Sequence, residues 1–198
     1  MNVKQAIALT GLIAAIAAIS PLVFAQDSGW YVGASIGQSK AKDTCPNTVP
    51  VGVNCDDTDT GWSVFSGYQF NKYLGAEIGY ADLGEFKVST SGTTDTLKVK
   101  GSELLGVGTF PINPQFEVYG KVGVFFWNVK ESCAGTLCPF GSQNETGSDL
   151  TYGLGAKFTF TKNVGVKVQY QRYKDVGNEA TTGKDDVDVV SVGVVFKF

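Results

Sequence analysis

Histidine is absent from all 198 residues, and methionine occurs once. Without an imidazole no Ser-His or Asp-His pair of nucleophile and base can form, and no cluster of side chains has metal-ligand spacing. The sequence therefore points to no catalytic residue, no metal and no cofactor. Basic residues are few as well, 16 against 19 acidic ones and with no basic patch, which argues against a nucleic-acid partner. Long hydrophobic runs are just as scarce: after residue 25 none approaches the ~20 residues of a membrane-spanning helix, so a helical membrane protein is excluded.

The one apolar run stands at the start. Lys4, an apolar stretch from Ala6 to Ile19, Pro21 and the small-residue pattern Val23-Phe24-Ala25 predict a signal peptide over residues 1 to 25, cut after Ala25. A transmembrane anchor is the competing reading, but a run of about 14 residues is too short for it. Removal leaves 173 residues (198 minus 25) with 15 basic side chains (16 minus 1) against 19 acidic, a net charge of −4, and a single domain over 26 to 198. The four cysteines then lie in an oxidising compartment. Cys45 and Cys55 share one polar stretch, and Cys133 and Cys138 share another. Two disulfides, one within each stretch, are favoured over an all-thiolate zinc site, although four cysteines permit three pairings.

From Gly29 onward residue types alternate with period two, and polar segments divide the chain into eight runs: 29 to 40, 60 to 70, 74 to 84, 96 to 111, 115 to 131, 148 to 161, 164 to 176 and 186 to 198. The connections alternate between long polar segments (41 to 59, 85 to 95, 132 to 147, 177 to 185) and tight turns at Asn71-Lys72-Tyr73, Ile112-Asn113-Pro114 and Lys162-Asn163. Short turns at one end and long loops at the other predict an all-β fold, an eight-stranded antiparallel transmembrane β-barrel of up-and-down meander order with both termini periplasmic.

The two faces of the runs indicate which solvent lies outside. One parity carries Trp30, Val32, Ile36, Val64, Leu104, Val122, Val168 and Val192, nearly free of charge through its middle. The other carries Gly33, Ser35, Gly67, Glu77, Glu103, Lys121, Gly153, Lys157, Lys167 and Gln171, which reads as a narrow polar lumen. A lipocalin-like soluble barrel would reverse this order. Aromatics gather at the run ends: Trp30, Phe70, Phe110, Phe116, Phe160 and Phe198 as a periplasmic girdle, Trp62, Tyr80, Phe126 and Tyr152 as an outer one. Arg172, on the lipid-facing parity near the outer rim, is expected to snorkel towards head-group phosphates.

Gly29-Trp30-Tyr31-Val32-Gly33-Ala34, Gly67-Tyr68-Gln69 to Gly79-Tyr80, Phe110-Pro111-Ile112, Val168-Gln169-Tyr170-Gln171 and Ser191-Val192-Gly193-Val194 to Phe196-Lys197-Phe198 together resemble the OmpA-type outer-membrane barrel. The resemblance covers the transmembrane barrel and not the periplasmic peptidoglycan-binding domain that many members append. It implies residence in the outer membrane of a Gram-negative bacterium, with lipid and lipopolysaccharide as surroundings. It also implies interlocked acid-base pairs in the lumen. Glu77 and Lys167 match one pair and Lys121 is a further basic position, whereas Val107 stands where a Lys is expected and Lys157 where a Glu is expected. Lys157 is therefore expected to share Glu77 or Glu103. The terminal Val190-x-Val192-x-Val194-x-Phe196-x-Phe198 resembles the signal read by the outer-membrane assembly machinery.

Three classes of function remain. The favoured one is a structural or surface-interaction barrel, its lumen largely plugged and its loops facing an extracellular ligand that the sequence does not name. A narrow, low-conductance pore is the alternative, and an outer-membrane enzyme is disfavoured by the missing histidine. Asp56, Asp57, Asp59, Asp175, Glu179, Asp185 and Asp186 could hold Ca²⁺, but their spacing is not that of an EF-hand, and a solvated loop surface is the simpler account.

Overall fold

A computed structural model of the chain describes residues 28–42, 45, 53–90, 92–135, 143–178 and 183–198. The expected signal peptide lies outside them. The described strands are β1 (Gly29–Ala41), β2 (Asn54–Asp56), β3 (Thr58–Gln69), β4 (Leu74–Thr90), β5 (Thr93–Pro111), β6 (Phe116–Gly135), β7 (Gln143–Thr159), β8 (Val164–Asn178) and β9 (Gly183–Lys197). Eight of them pair with their neighbours in meander order, and the β1–β9 and β4–β5 ladders close the sheet into an antiparallel barrel. The short β2 is an extra that pairs with β4 beyond the end of β3.

The tight turns are built from side chains that the sequence places there. The Asn71 carboxamide oxygen accepts the amides of Tyr73 and Leu74 at 2.8 and 3.0 Å, and Asn113 does the same for Gln115 and Phe116 at 2.9 and 2.8 Å. Each closes the backbone on itself as an Asx turn. At the third turn the Thr161 hydroxyl takes the amide of Val164 at 3.1 Å.

At the other end the strands run longer than the residue pattern suggests. Residues 85–95, expected as a loop, are mostly ladder, paired from Glu85↔Lys98 to Thr90↔Thr93. Strand β6 continues to Gly135, β7 starts at Gln143, and β8 and β9 reach Asn178 and Gly183. A membrane crossing takes about 9–11 strand residues, whereas β6 has 20 and β5 has 19. On β6 the stretch from Phe116 to Phe126 is long enough for one crossing, which leaves Trp127 to Gly135 to extend past it. The outward apolar parity is exposed as expected, with Ile78, Leu154 and Val190 each more than three-fifths accessible. Such a belt is stable only against another apolar phase.

The inward face departs from a purely polar lumen. Tyr31, Phe65, Leu105, Val107, Tyr119, Phe125, Trp127 and Tyr173 share the inward parity with the charged residues and are buried. Towards the loop end Ala41, Ala81, Leu83, Phe86, Val99, Phe125, Trp127, Val129, Tyr173, Val176, Val187 and Val189 form one hydrophobic cluster inside the cylinder. The reason is solvent. Beyond the hydrocarbon the outer wall faces water and carries Lys98, Asn128 and Lys130, so the inner positions must supply the core.

Candidate functional site

The barrel interior holds three layers between the turn end and the loop end. In the middle layer Glu77 on β4 binds the ammonium of Lys121 on β6 and accepts the Tyr31 hydroxyl of β1 at 3.0 Å. Both charged residues are at least nine-tenths buried. The expected partner Lys167 does stand diametrically opposite, since β8 is four strands from β4 in the barrel order. It forms no ion pair within 4.0 Å among the described residues, and its ammonium lies 3.5 Å from the centroid of the Phe65 ring. Lys121 wins because β6 is only two strands from β4, within reach of one lysine side chain, while the Lys167 ammonium of β8 sits on the Phe65 ring instead. Lys121 lies over the same ring at 5.1 Å, so two ammonium groups share one aromatic ring.

Lys157 shares neither Glu77 nor Glu103. It binds Glu117 at 2.7 Å, its direct cross-strand neighbour in the β6–β7 ladder. An acid and a base already opposed in register meet without crossing the lumen. Glu103 is held by neutral donors, the Gln171 carboxamide at 2.8 Å and the Tyr173 hydroxyl at 3.2 Å. Gln171 also donates to the Thr151 hydroxyl at 3.1 Å, so this upper part of the layer is a closed hydrogen-bonded network. Above it the hydrophobic cluster begins, with Phe125 packed edge-on against Tyr173 at 4.6 Å. Below the layer a cavity of about 310 Å³, with Lys72, Lys157, Lys162 and Glu117 in its wall, opens at the turn end and reaches up to Glu77 and Lys167.

A closed eight-stranded meander with an apolar belt and short turns at one end is the architecture of small outer-membrane barrels. Residues 25–198 match the family model described as the OmpA-like transmembrane domain. The chain belongs to that family. Outer membrane protein A of Yersinia pseudotuberculosis is 32% identical over 199 residues, covering 99% of this chain and 54% of that protein. Outer membrane protein A of Serratia marcescens is 30% identical, covering 98% and 56%. The chain thus spans about half the length of the curated relatives it matches. The crystal structure of Neisserial surface protein A shares the fold at a TM-score of 0.61 and 19% identity, covering 86% of this chain and 99% of that one. The OmpA-like barrel described here is accordingly an outer-membrane protein.

The OmpA-like barrel also places the remaining sequence-derived residues. Trp30, Trp62, Phe70, Phe110, Phe126, Phe160 and Phe198 are exposed on the outer wall, as is Tyr152, and Tyr80 stacks near Trp62 at 6.0 Å. Cys45 and Cys55 form a disulfide. Cys133 is disulfide-bonded too, and its expected partner Cys138 lies outside the described residues.

Arg172 does not stand free to meet phosphates. Its guanidinium grips Asp188 through two bonds of 2.6 and 2.8 Å and donates to the Tyr170 hydroxyl at 2.7 Å. Asp188 is its ladder neighbour on β9, an anchor that a search for lipid-facing charges on single strands overlooks. The loop carboxylates are similarly engaged. Asp57 faces Lys40 at 3.6 Å, Asp186 binds Lys174 at 3.1 Å, and Asp185 accepts the Lys42 amide at 3.0 Å. Asp59 takes the amides of Thr60 and Glu85. Glu179 lies outside the described residues. Tyr31, Phe65 and Gln171 are uncharged interior residues outside the expected charge network, and Glu117 is an inward acid likewise outside it. Their inward parity was the available signal.

Proposed function

We propose that this outer-membrane barrel is a closed scaffold with a structural or surface-interaction role, which turns its elongated loop end to the outside and does not act as an enzyme. The observation that carries this reading is the filled interior, a buried Glu77–Lys121 pair beneath a hydrophobic cluster that includes Phe125 and Trp127. A path for solutes would have to displace both layers. The turn end, with both termini, faces the periplasm in this reading, after removal of residues 1 to 25. The strand ending at Phe198 is the element read by the assembly machinery. Lipopolysaccharide packs against the outer wall, and the disulfide-closed Cys45–Cys55 segment belongs to the surface offered to an extracellular ligand.

Planar-bilayer recording beside whole-cell ligand-binding assays tests the proposal. Refolded protein should give no steady conductance, and cells displaying it should retain surface ligands in a manner sensitive to cleavage of the loop end. A large, steady single-channel current would refute the closed scaffold. The narrow-pore alternative draws on the turn-end cavity, which carries water-sized space as far as Lys167.

A further inference from the structure

We propose that the cavity at the turn end is an anion site that takes a small oxyanion of the phosphate or sulfate class. Its wall carries Lys72, Lys157, Lys162 and Lys167 against two carboxylates, Glu77 and Glu117. Neither carboxylate is available to balance the surplus. Glu117 is bound to Lys157 at 2.7 Å, and Glu77 is bound to Lys121, a further lysine of the layer above.

Lys167 is the residue that points to a ligand. It is 3% exposed, lines the cavity, and has no carboxylate within 4.0 Å among the described residues. Its neighbours are the Phe65 ring, whose centroid is 3.5 Å from its ammonium, and the second cation Lys121, 5.1 Å from the same centroid. A π face returns only part of what a buried ammonium loses on leaving water, and a like charge beside it deepens the deficit. An anion entering from the turn end meets Lys167 at the head of the cavity, with Lys157 on the wall. A concave site lined by one sign of charge in a low-dielectric wall concentrates counter-ions. The space of about 310 Å³ corresponds to about ten water volumes, enough for an oxyanion that keeps part of its hydration. The inference rests on this geometry and not on whether the lumen conducts, so a conducting barrel would leave it standing.

The test is titration of inorganic phosphate into the refolded full chain in zwitterionic micelles, followed by phosphorus NMR line broadening at constant ionic strength set with chloride. Saturable broadening is expected in the unmodified protein, and Lys167→Met should weaken it at least tenfold. Lys98→Gln, on the outer wall of the loop end, should leave it unchanged. Should Lys167→Met fail to fold, Glu117→Gln decides the matter, since releasing Lys157 should tighten phosphate binding several-fold. Broadening that does not saturate, that chloride abolishes at equal concentration, or that is the same in Lys167→Met or Glu117→Gln as in the unmodified protein, overturns the site.

Discussion

Replacing Glu77 by Ala removes the acceptor of two buried donors, the Lys121 ammonium and the Tyr31 hydroxyl. Stranding one member of a buried ion pair costs about 3–5 kcal/mol, and the orphaned hydroxyl adds about 1 kcal/mol. Lys121 and Lys167 then share the Phe65 ring with the Glu77 carboxylate gone, so the loss should sit near the upper end, about 5 kcal/mol. Adding Lys121→Met removes the stranded charge and should recover about 2–3 kcal/mol of the loss, the coupling range of residues in direct contact. Glu77→Ala with Lys167→Met should couple by less than about 1 kcal/mol, since that pair makes no contact within 4.0 Å. The assay is urea-dependent folding into lipid vesicles, with the folded fraction read from the gel band that shifts on boiling. Coupling between positions 77 and 121 within about 0.5 kcal/mol of zero, or a larger coupling for 77 and 167, would refute the assignment of the pair.

Phe125→Ala empties the middle of the loop-end cluster and should cost about 3–5 kcal/mol in the same assay, without producing conductance, because the Glu77–Lys121 layer below remains. Gly84 has φ +91°, and an added Cβ would lie 2.6 Å from the Asp59 carboxylate; Gly84→Ala should therefore cost about 1–3 kcal/mol and expose the Glu85 amide to hydrogen exchange. Reduction of Cys45–Cys55 should weaken its loop by about 2–3 kcal/mol, measured as faster protease cleavage there, and leave the barrel transition in place. Burial raises the Asp186 carboxyl, but the Asp175 amide and the Lys174 ammonium outweigh it and hold the group below the usual carboxylate range. Its contribution is thus present above the ordinary aspartate pKa and is lost as pH falls through the lowered folded value. Amide exchange at Asp175 should accelerate on acidification below about pH 4 in the unmodified protein, with no such step in Asp186→Asn.

Where each strand lies, which face meets lipid and where the tight turns fall were legible in the sequence, because period-two alternation and Asn-bearing turns are local signals. The strand ends at the loop side were not. Residues 85 to 95 are rich in turn formers, yet Glu85 to Thr90 pair with Thr93 to Lys98 as a hairpin, a cross-strand gain that single-residue propensity does not report. The ion pairs were legible only as a set of charged inward residues. Choosing among Lys121, Lys157 and Lys167 as partners of Glu77 requires knowing that Lys167 sits on the Phe65 ring and that Glu117 is in register with Lys157. Arg172 was singled out correctly as unusual on the lipid-facing parity, but its partner Asp188 is a neighbour only through the β8–β9 register.

The loop-end cylinder explains why the residue code changes along single strands. On β6, Val122, Val124 and Phe126 point to lipid while Lys121 and Gly123 point inward; one turn of the pattern later Asn128 and Lys130 point outward while Phe125, Trp127 and Val129 fill the interior. The change happens at the level of Phe126, Tyr80 and Trp62, the residues expected to form the outer aromatic girdle. Strands β4 and β8 also carry irregularities there, with the register shifting between Asp82 and Gly84 and between Tyr173 and Val176. Each resets the parity so that Phe86 and Val176 turn into the cluster rather than into water. Asp59 fastens the first of these irregularities through the Glu85 amide at 2.6 Å, and Asp186 the second through the Asp175 amide at 3.1 Å. The barrel therefore has two cores in series, a mixed one around the buried Glu77–Lys121 pair and an apolar one towards the loop end. At the loop end that apolar core stands inside a cylinder wall held by Arg172–Asp188 and Lys174–Asp186.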